Sequence, residues 1–263
     1  MLDKNEIKKS DQSGKLKDTT VSAEEIARFD KMAEHWWDPN GEYKMALAFN
    51  EARVGYFIDN IAQHFGRRSD VQDCLADLRI LDLGCGGGLV SEALAKRGAT
   101  VIGIDASEVS VQVAKRHAIK SGLEIDYRNV LARELIAANE LFDVVINAEV
   151  IEHVSDQKGL VKDCAKLTKP NGIVVLATLN RTIQSFFFGI VGAEYIMRYL
   201  PAGTHSWGLF VTPLELNSWA SLSRLQLIEE KGMNYNPFKK AWKINNSLKV
   251  NYVQIYKKLT KSI

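Results

Sequence analysis

The chain has 263 residues, of which 46% are hydrophobic and 25% are charged, and its formal net charge at pH 7 is +2. These are the proportions of a soluble globular protein, and the small net charge gives no support to a nucleic-acid partner. No stretch offers the roughly 20 uncharged apolar residues that would span a bilayer. Cys74, Cys85 and Cys164 are scattered without metal-binding spacing, so we expect reduced thiols in an intracellular protein.

The N-terminal region divides into a polar tail and two helices. Residues 1–20 are rich in Lys, Asp, Ser and Thr, and we expect them to be disordered. From Ser22, the run Ser-Ala-Glu-Glu is typical of a helix start, with a serine cap and acids in the first turn. This helix is predicted to end at residues 38–41, and a second helix is predicted at about 45–65.

Short apolar runs then alternate with helical patterns. Strands are predicted at 79–83, 100–104, 125–128, 142–147, 173–178, 225–231 and 252–256, and helices at 88–97, 107–121, 155–167 and 213–222. Alternation of this kind predicts an α/β domain over residues 21–263, with a mostly parallel seven-stranded sheet.

A glycine-rich turn follows the first of these strands. Gly84, Gly86 and Gly88 can adopt positive φ and bring backbone N–H groups close to a ligand. Asp105 ends the second strand, at the separation where a carboxylate meets the ribose hydroxyls of a nucleoside. The alternative role of Asp105 is to cap the helix at Ser107. A dinucleotide dehydrogenase is the competing interpretation, but no hydride-transfer constellation is present.

Further motifs carry a resemblance to a known class. The Asp-x-Gly-x-Gly-x-Gly run from Asp82, the acid Asp105 and the Lys-Pro-Asn-Gly turn at 169–172 resemble the Rossmann-like methyltransferases that use S-adenosylmethionine. From about residue 29 to residue 256, the order of motifs also resembles the bacterial ubiquinone-biosynthesis O-methyltransferase family. The motifs that carry this closer resemblance are Trp36-Trp37-Asp38, Asn50-Glu51-Ala52-Arg53, the glycine turn, Glu149-Val150-Ile151-Glu152-His153-Val154, Thr178-Leu179-Asn180-Arg181, Val191-Gly192-Ala193-Glu194-Tyr195-Ile196 and Gly203-Thr204-His205.

The resemblance implies a Rossmann-like α/β fold and methylation of a ring hydroxyl in polyprenylated catechol and demethylubiquinol intermediates. It implies contacts with S-adenosylmethionine by Arg53, Gly84, Asp105 and Ala148, and Gly86 belongs to the same turn. Other members commonly carry Met where this chain has Ala148, a change that a backbone contact would survive. Two other functions stay open: methylation of another small phenol or acid, and a non-catalytic lipid-surface protein that retains a nucleoside pocket.

Arg53 has a physical reason to bind the donor. A guanidinium can form a bidentate pair with the methionyl carboxylate, which a lysine cannot reproduce. The alternative is an ordinary exposed arginine on the second helix.

A carboxylate–histidine cluster follows the fourth strand. If residues 149–153 form one helical turn, then Glu149, Glu152 and His153 share a face. Two carboxylates and an imidazole suit a divalent metal such as Mg²⁺, with positions left open for a catechol. Without a metal, His153 would be the general base, oriented by Glu152. The alternatives are a solvated acidic turn and, as a second candidate base, His205.

Residues 182–210 interrupt the α/β pattern and are predicted to be a cap insertion. The segment 183–200 is strongly apolar but contains Glu194 and Arg198, which makes it a poor transmembrane helix. It is interpreted either as a buried cap or as a surface that docks in a membrane interface. The residues assigned to docking are Phe186, Phe187, Phe188 and Ile190, with Lys239, Lys240, Lys243 and Lys249 attracting anionic lipid.

These features predict the partners and the location of the protein. A polyprenyl substrate lies in the bilayer, so an enzyme that acts on it benefits from surface docking. We therefore expect a cytoplasmic protein, peripheral on the inner face of the cytoplasmic membrane. Its expected partners are the polyprenyl catechol or quinol, an anionic membrane surface and other enzymes of ubiquinone biosynthesis, with no nucleic acid.

Overall fold

The computed structural model describes residues 22–33, 36–38, 41, 44–186, 206–236 and 241–260. The predicted disordered tail, the middle of the cap insertion, His205, Lys239 and Lys240 lie outside these ranges.

The described residues form one sheet with helices on its two faces. Its strands are β1 (Arg79–Leu83), β2 (Thr100–Ile104), β3 (Asp126–Arg128), β4 (Phe142–Ala148), β5 (Thr168–Leu179), β6 (Leu225–Asn236), β7 (Ala241–Asn245) and β8 (Asn251–Lys258). The strand order is β3-β2-β1-β4-β5-β8-β6-β7. The first five strands pair in parallel, whereas β8, β6 and β7 are antiparallel to their neighbours.

The sheet has eight strands in this part of the chain, so the predicted count of seven is wrong. Strand β6 continues to Asn236, five residues beyond its predicted end, and this extension needs a partner for its backbone groups. Strand β7 supplies that partner by pairing with β6 from Gly232 to Asn236.

The helices are α1 (Ala23–Ala33), α2 (Lys44–His64), α3 (Leu89–Ala95), α4 (Glu108–Lys120), α5 (Ala132–Ala137), α6 (Gln157–Leu167), α7 (Ile183–Ser185) and α8 (Pro213–Leu222). Successive residues of a strand point to opposite faces of the sheet. In β1, Ile80 packs in the cluster that contains α2 and α3, and Leu81 packs in the cluster that contains α5, α6 and α8. Burial on both faces explains why these parallel strands are continuous apolar runs.

The sheet order creates a crevice between β1 and β4. The chain leaves β1 for β2 on one side and returns through β4 on the other side. In open α/β sheets, ligands bind at such a switch point, outside the carboxyl ends of the strands. Gly84 follows β1 and Ala148 ends β4, so the predicted cofactor residues lie at this crevice.

No helix in the described part of the chain has both the length and the apolar composition that spanning a bilayer requires.

Candidate active site

The glycine turn is held by backbone hydrogen bonds to the neighbouring strand. The Gly84 N–H donates to the Ile104 carbonyl at 2.8 Å, and Gly84 has a φ of +82°. A Cβ at this position would lie 2.3 Å from Cγ2 of Val150, in the segment after β4. Only glycine therefore satisfies both the backbone conformation and the close approach of that segment.

Gly86 is the point of the turn that leaves room for a ligand. Its φ is +51°, and a Cβ built there would meet nothing within 4 Å. Its N–H donates to Oδ2 of Asp105 at 2.9 Å. A glycine that faces open space beside a strand-end carboxylate fits the close approach of a nucleoside, as the sequence predicts.

Asp105 connects the glycine turn to the start of α4. Its second oxygen, Oδ1, accepts the Ser107 N–H at 2.8 Å, and Ser107 itself caps α4 by accepting the Ser110 N–H at 2.9 Å. The helix cap is therefore Ser107, and the alternative role of Asp105 as that cap is wrong. Burial raises the pKa of Asp105, although its two backbone hydrogen bonds act in the opposite direction. Each carboxylate oxygen keeps a further lone pair for a ligand hydroxyl.

Asp82, the next-to-last residue of β1, is the second acid of this region. Its side chain is buried and accepts a hydrogen bond from the Ser91 hydroxyl at 2.6 Å. Burial raises the pKa of Asp82 to about 6. Through this hydrogen bond, Asp82 links β1 to α3 and so supports the glycine turn that connects them.

Arg53 lies in the interior, so its interpretation as an exposed helix arginine is wrong. Only 8% of the residue is exposed, and its guanidinium lies 5.0 Å from the centre of the Phe49 ring. Both Nε and Nη2 donate to Oδ1 of Asn50, at 3.1 and 3.0 Å. Nη1 donates to Oε1 of Glu149 at 3.1 Å. This ion pair joins the predicted donor residues to the segment after β4.

The segment after β4 is not the single helical turn that the sequence predicts. Glu149 has a left-handed φ of +58°, and only Ile151–His153 form a 3₁₀ turn. The Glu149 N–H donates to the Ala177 carbonyl at 2.9 Å, which continues the pairing of Ala148 with β5 for one more residue. The prediction that the side chains of Glu149, Glu152 and His153 share one face of a helical turn is therefore wrong.

Glu152 points into the protein. It is 2% exposed, and its Oε2 accepts a hydrogen bond from the Thr178 hydroxyl at 2.7 Å. Its Oε1 is buried and has no hydrogen-bond partner within the described ranges. Burial, followed by the neighbouring charge of Glu149, raises the pKa of Glu152 and so favours its neutral form.

His153 is held by a residue that the sequence did not single out for the site. Its Nδ1 lies 2.9 Å from Oε2 of Glu25 on α1, and Oε1 of Glu25 lies 2.7 Å from Nη1 of Arg28. The predicted orientation of His153 by Glu152 is therefore wrong. The only signal at Glu25 was its position in the first turn of a helix, where the Ser22 hydroxyl accepts its N–H at 3.1 Å.

The three residues of the predicted metal site each have a different partner. Glu149 pairs with Arg53, Glu152 with Thr178 and His153 with Glu25. Over the ranges that the structure describes, no group of three or more His, Cys, Asp or Glu side chains is placed to hold a metal ion. The residues in this geometry do not fit the predicted metal site, because each of them is turned toward a different partner.

Known proteins share this fold. A family profile described as a methyltransferase domain matches residues 81–176. The structure of magnesium protoporphyrin IX methyltransferase from Synechocystis PCC 6803 with bound SAM has a TM-score of 0.60 at 15% identity, over 92% of this chain and 100% of that one. The fold and the glycine-turn site define an S-adenosylmethionine-dependent methyltransferase.

Closer relatives identify the family within this class. The chain is 46% identical to a ubiquinone biosynthesis O-methyltransferase of Dinoroseobacter shibae, over 89% of this chain and 95% of that protein. It is 45% identical to the protein of the same name from Pelagibacter ubique, over 89% and 97%. The chain therefore belongs to the ubiquinone biosynthesis O-methyltransferase family.

Proposed function

We propose that this O-methyltransferase methylates a ring hydroxyl of polyprenylated catechol and demethylubiquinol intermediates. The observation that carries the proposal is the position of His153. It lies just past the carboxyl end of β4, the strand beside the glycine turn, and a carboxylate contacts its Nδ1. The names of the relatives support a quinol-type acceptor.

The donor side of the crevice would be formed by Arg53, Gly84, Gly86, Asp105 and Ala148. S-adenosylmethionine, when bound, supplies an electrophilic methyl group on a positively charged sulfur. Asp105 would accept the ribose hydroxyls, and the guanidinium of Arg53 would pair with the methionyl carboxylate. Because Arg53 also holds Glu149, the residue that binds the donor also positions the segment that receives the acceptor.

The acceptor side requires a group that removes the hydroxyl proton. Nδ1 of His153 lies 2.9 Å from the Glu25 carboxylate. An imidazole that donates from Nδ1 to a carboxylate carries its lone pair on Nε2. His153 accepts the proton of the ring hydroxyl at Nε2, and the oxygen becomes the nucleophile. Burial favours the neutral form of Glu152, whose hydrogen bond from the Thr178 hydroxyl supports the 3₁₀ turn.

A surface beside the cap insertion supports membrane docking. Ile183 is 71% exposed, and three other large apolar side chains at the two ends of the insertion are also exposed. These three are Phe186, Trp207 and Leu209. The Trp207 indole donates to the Thr182 carbonyl at 3.0 Å, which brings the two ends together. A clustered apolar surface of this kind suits insertion into a membrane interface.

Charge at the same place supports an anionic membrane. The Lys249 side chain is exposed. The backbone carbonyl of Lys249 accepts the hydroxyl of Thr182, the residue before Ile183, at 2.5 Å. A lysine beside an inserting apolar residue adds attraction to anionic lipid. We propose peripheral docking on the inner face of the cytoplasmic membrane on these grounds. Contact with other ubiquinone-biosynthesis enzymes stays a prediction.

An acceptor panel tests the proposed substrate. Methyl transfer from labelled S-adenosylmethionine is measured on catechol, on prenylated catechols of increasing tail length and on a carboxylic acid of similar size. We expect transfer to the catechol ring, with kcat/KM increasing with tail length. Transfer to the acid alone would assign the enzyme to another acceptor, and binding of S-adenosylmethionine without transfer to any of these acceptors would contradict the proposed substrate.

A further inference from the structure

We propose that Trp37 is a positioning residue for the donor site, because it holds the glycine turn in the shape that binds S-adenosylmethionine. This inference rests on the proposed placement of the donor at that turn. The Trp37 indole N–H donates to the Gly87 carbonyl at 2.8 Å, although the two residues are 50 positions apart in the chain. Gly87 directly follows Gly86, the residue of the turn that faces open space. A segment remote in sequence therefore contacts the donor turn next to its open position.

The Gly87 carbonyl precedes the hydrogen-bond ladder of α3. Gly88 is the N-cap of that helix, and its carbonyl accepts the Glu92 N–H at 2.9 Å. The peptide group between Gly87 and Gly88 is held at its oxygen by Trp37, and at its nitrogen by the Cys85 carbonyl, which accepts the Gly88 N–H at 2.9 Å. A planar peptide group that is held at both atoms keeps a fixed orientation, so Trp37 fixes the end of the glycine turn.

The Trp37 indole is itself held by the two helices that follow the donor motifs. It stacks on the ring of His117 in α4, with ring centroids 3.5 Å apart and ring planes within 4°. Nδ1 of His117 lies 2.5 Å from Oε1 of Glu92, a buried acid of α3. Stacking fixes the plane of the indole, and a fixed plane directs its N–H at the Gly87 carbonyl. Because α3 follows the glycine turn and α4 follows Asp105, Trp37 connects the two parts of the donor site.

The neighbouring residue, Trp36, packs on the same turn. A Cβ built on Gly87 would lie 3.2 Å from Cβ and Cγ of Trp36, closer than ordinary van der Waals contact, whereas a Cβ on Gly86 would meet nothing within 4 Å. Asp30 of α1 accepts a hydrogen bond from the Ser107 hydroxyl, at the start of α4. The N-terminal segment therefore covers the turn at Gly87 and leaves it open at Gly86, where the donor is proposed to approach.

The chosen variant keeps an aromatic ring over His117 and removes the indole N–H. We expect Trp37→Phe to raise the Kd for S-adenosylmethionine about 3- to 10-fold, the effect of losing one neutral hydrogen bond. At saturating S-adenosylmethionine, kcat should stay within about 2-fold of the wild type, because the reacting groups are unchanged. Calorimetric titration measures Kd. The matched control is Trp219→Phe, in a half-buried residue of α8 that packs against the core, and we expect it to have the wild-type Kd.

A double-mutant cycle tests whether His117 acts through the indole. His117→Gln keeps a donor for Glu92 and removes the stacked ring, so we expect it to raise the Kd in the wild type and to have no further effect in a Trp37→Leu background. Equal fold increases in the two backgrounds would overturn the positioning of Trp37 by His117. An unchanged Kd in Trp37→Phe, or an equal increase in Trp219→Phe, would overturn the inference and leave the donor placement standing. An unchanged Kd in Asp105→Ala would overturn the donor placement itself, and with it the inference.

Discussion

The proposed donor and acceptor sides of the crevice are held in different ways. On the donor side, the Asp105 carboxylate accepts hydrogen bonds from the backbone N–H groups of Gly86, 19 residues away in the sequence, and of Ser107. On the acceptor side, Glu152 and His153 are held by side chains from β5 and α1, the latter 128 residues away. A donor site of this kind is a property of a local motif, whereas the acceptor site exists only in the assembled fold.

The two sides are also connected. Arg53 belongs to the donor side but donates to Glu149, and α1 carries both Asp30, which contacts Ser107, and Glu25, which contacts His153. Helices α1 and α2 therefore each carry residues that contact both sides. Four substitutions test how far the sides are separable.

The largest effect is expected at Gly84. In Gly84→Ala, the positive φ and the 2.3 Å approach to Val150 should together lower the free energy of unfolding by about 3 kcal/mol. Urea denaturation measures this loss. The control is Gly122→Ala, which has a φ of +68° but no atom within 4 Å of the new Cβ, so about 1 kcal/mol is expected. Equal losses in the two variants would contradict the contact between the turn and Val150.

The second effect concerns the pH dependence of stability at Asp82. Burial raises its pKa in the folded state to about 6, from its ordinary value of 3.8. Between these values the folded state binds more protons than the unfolded state, so this group makes the protein less stable as pH rises from 4 to 6. Its full effect is on the order of 3 kcal/mol.

The comparison variant is Asp82→Asn, which keeps an oxygen to accept the Ser91 hydroxyl. Unfolding free energies of the variant and the wild type are measured from pH 4 to pH 7. We expect the variant to gain stability relative to the wild type as pH rises toward 6, and the difference to be constant above pH 7. Two parallel curves over the whole interval would contradict the raised pKa.

The third effect is on donor affinity. Arg53→Lys cannot reproduce a bidentate pair with a carboxylate, and we expect the Kd for S-adenosylmethionine to rise about 10- to 100-fold. Calorimetric titration measures it. Arg68→Lys is the matched control, because Arg68 pairs with Asp70 on the surface with 79% of its side chain exposed. An unchanged Kd in Arg53→Lys would remove Arg53 from the donor site.

The smallest effect is expected at the membrane-facing end of the acceptor side. Ile183→Asp removes an exposed apolar side chain and adds a negative charge, and we expect retention on anionic vesicles to fall about 5-fold. Vesicle flotation measures retention. Ile119→Asp, which changes an isoleucine of α4 that is 78% exposed, is the control and should float as the wild type does. Equal flotation of all three proteins, or no flotation of the wild type, would contradict docking at this surface.

The geometry of the glycine turn could be predicted from the sequence, because its signals are local. A strand followed by Gly84 and Gly86, and then Asp105 at the end of the next strand, specifies backbone geometry directly, and the structure brings these residues together as expected. The parallel strands could be predicted for the same reason, since burial on both faces requires continuous apolar runs.

The acceptor side could be predicted only in part. The cluster at 149–153 was recognised, but its geometry depends on the left-handed φ of Glu149, which permits no continuous helical face. The contact of Glu25 with His153 could not be predicted, because an acid in the first turn of a helix is already explained by the helix dipole. Strand β7 was not predicted because it pairs with the part of β6 from Gly232 to Asn236, which lies beyond the predicted end of β6.

The proposed base, His153, would remove the hydroxyl proton of a prenylated catechol held beside the donor. Rapid-quench single-turnover transfer, at saturating S-adenosylmethionine, compares the wild type with His153→Gln. We expect the variant to bind S-adenosylmethionine with an unchanged Kd and to transfer the methyl group about 100- to 10,000-fold more slowly. Equal transfer rates in the two proteins would contradict the claim.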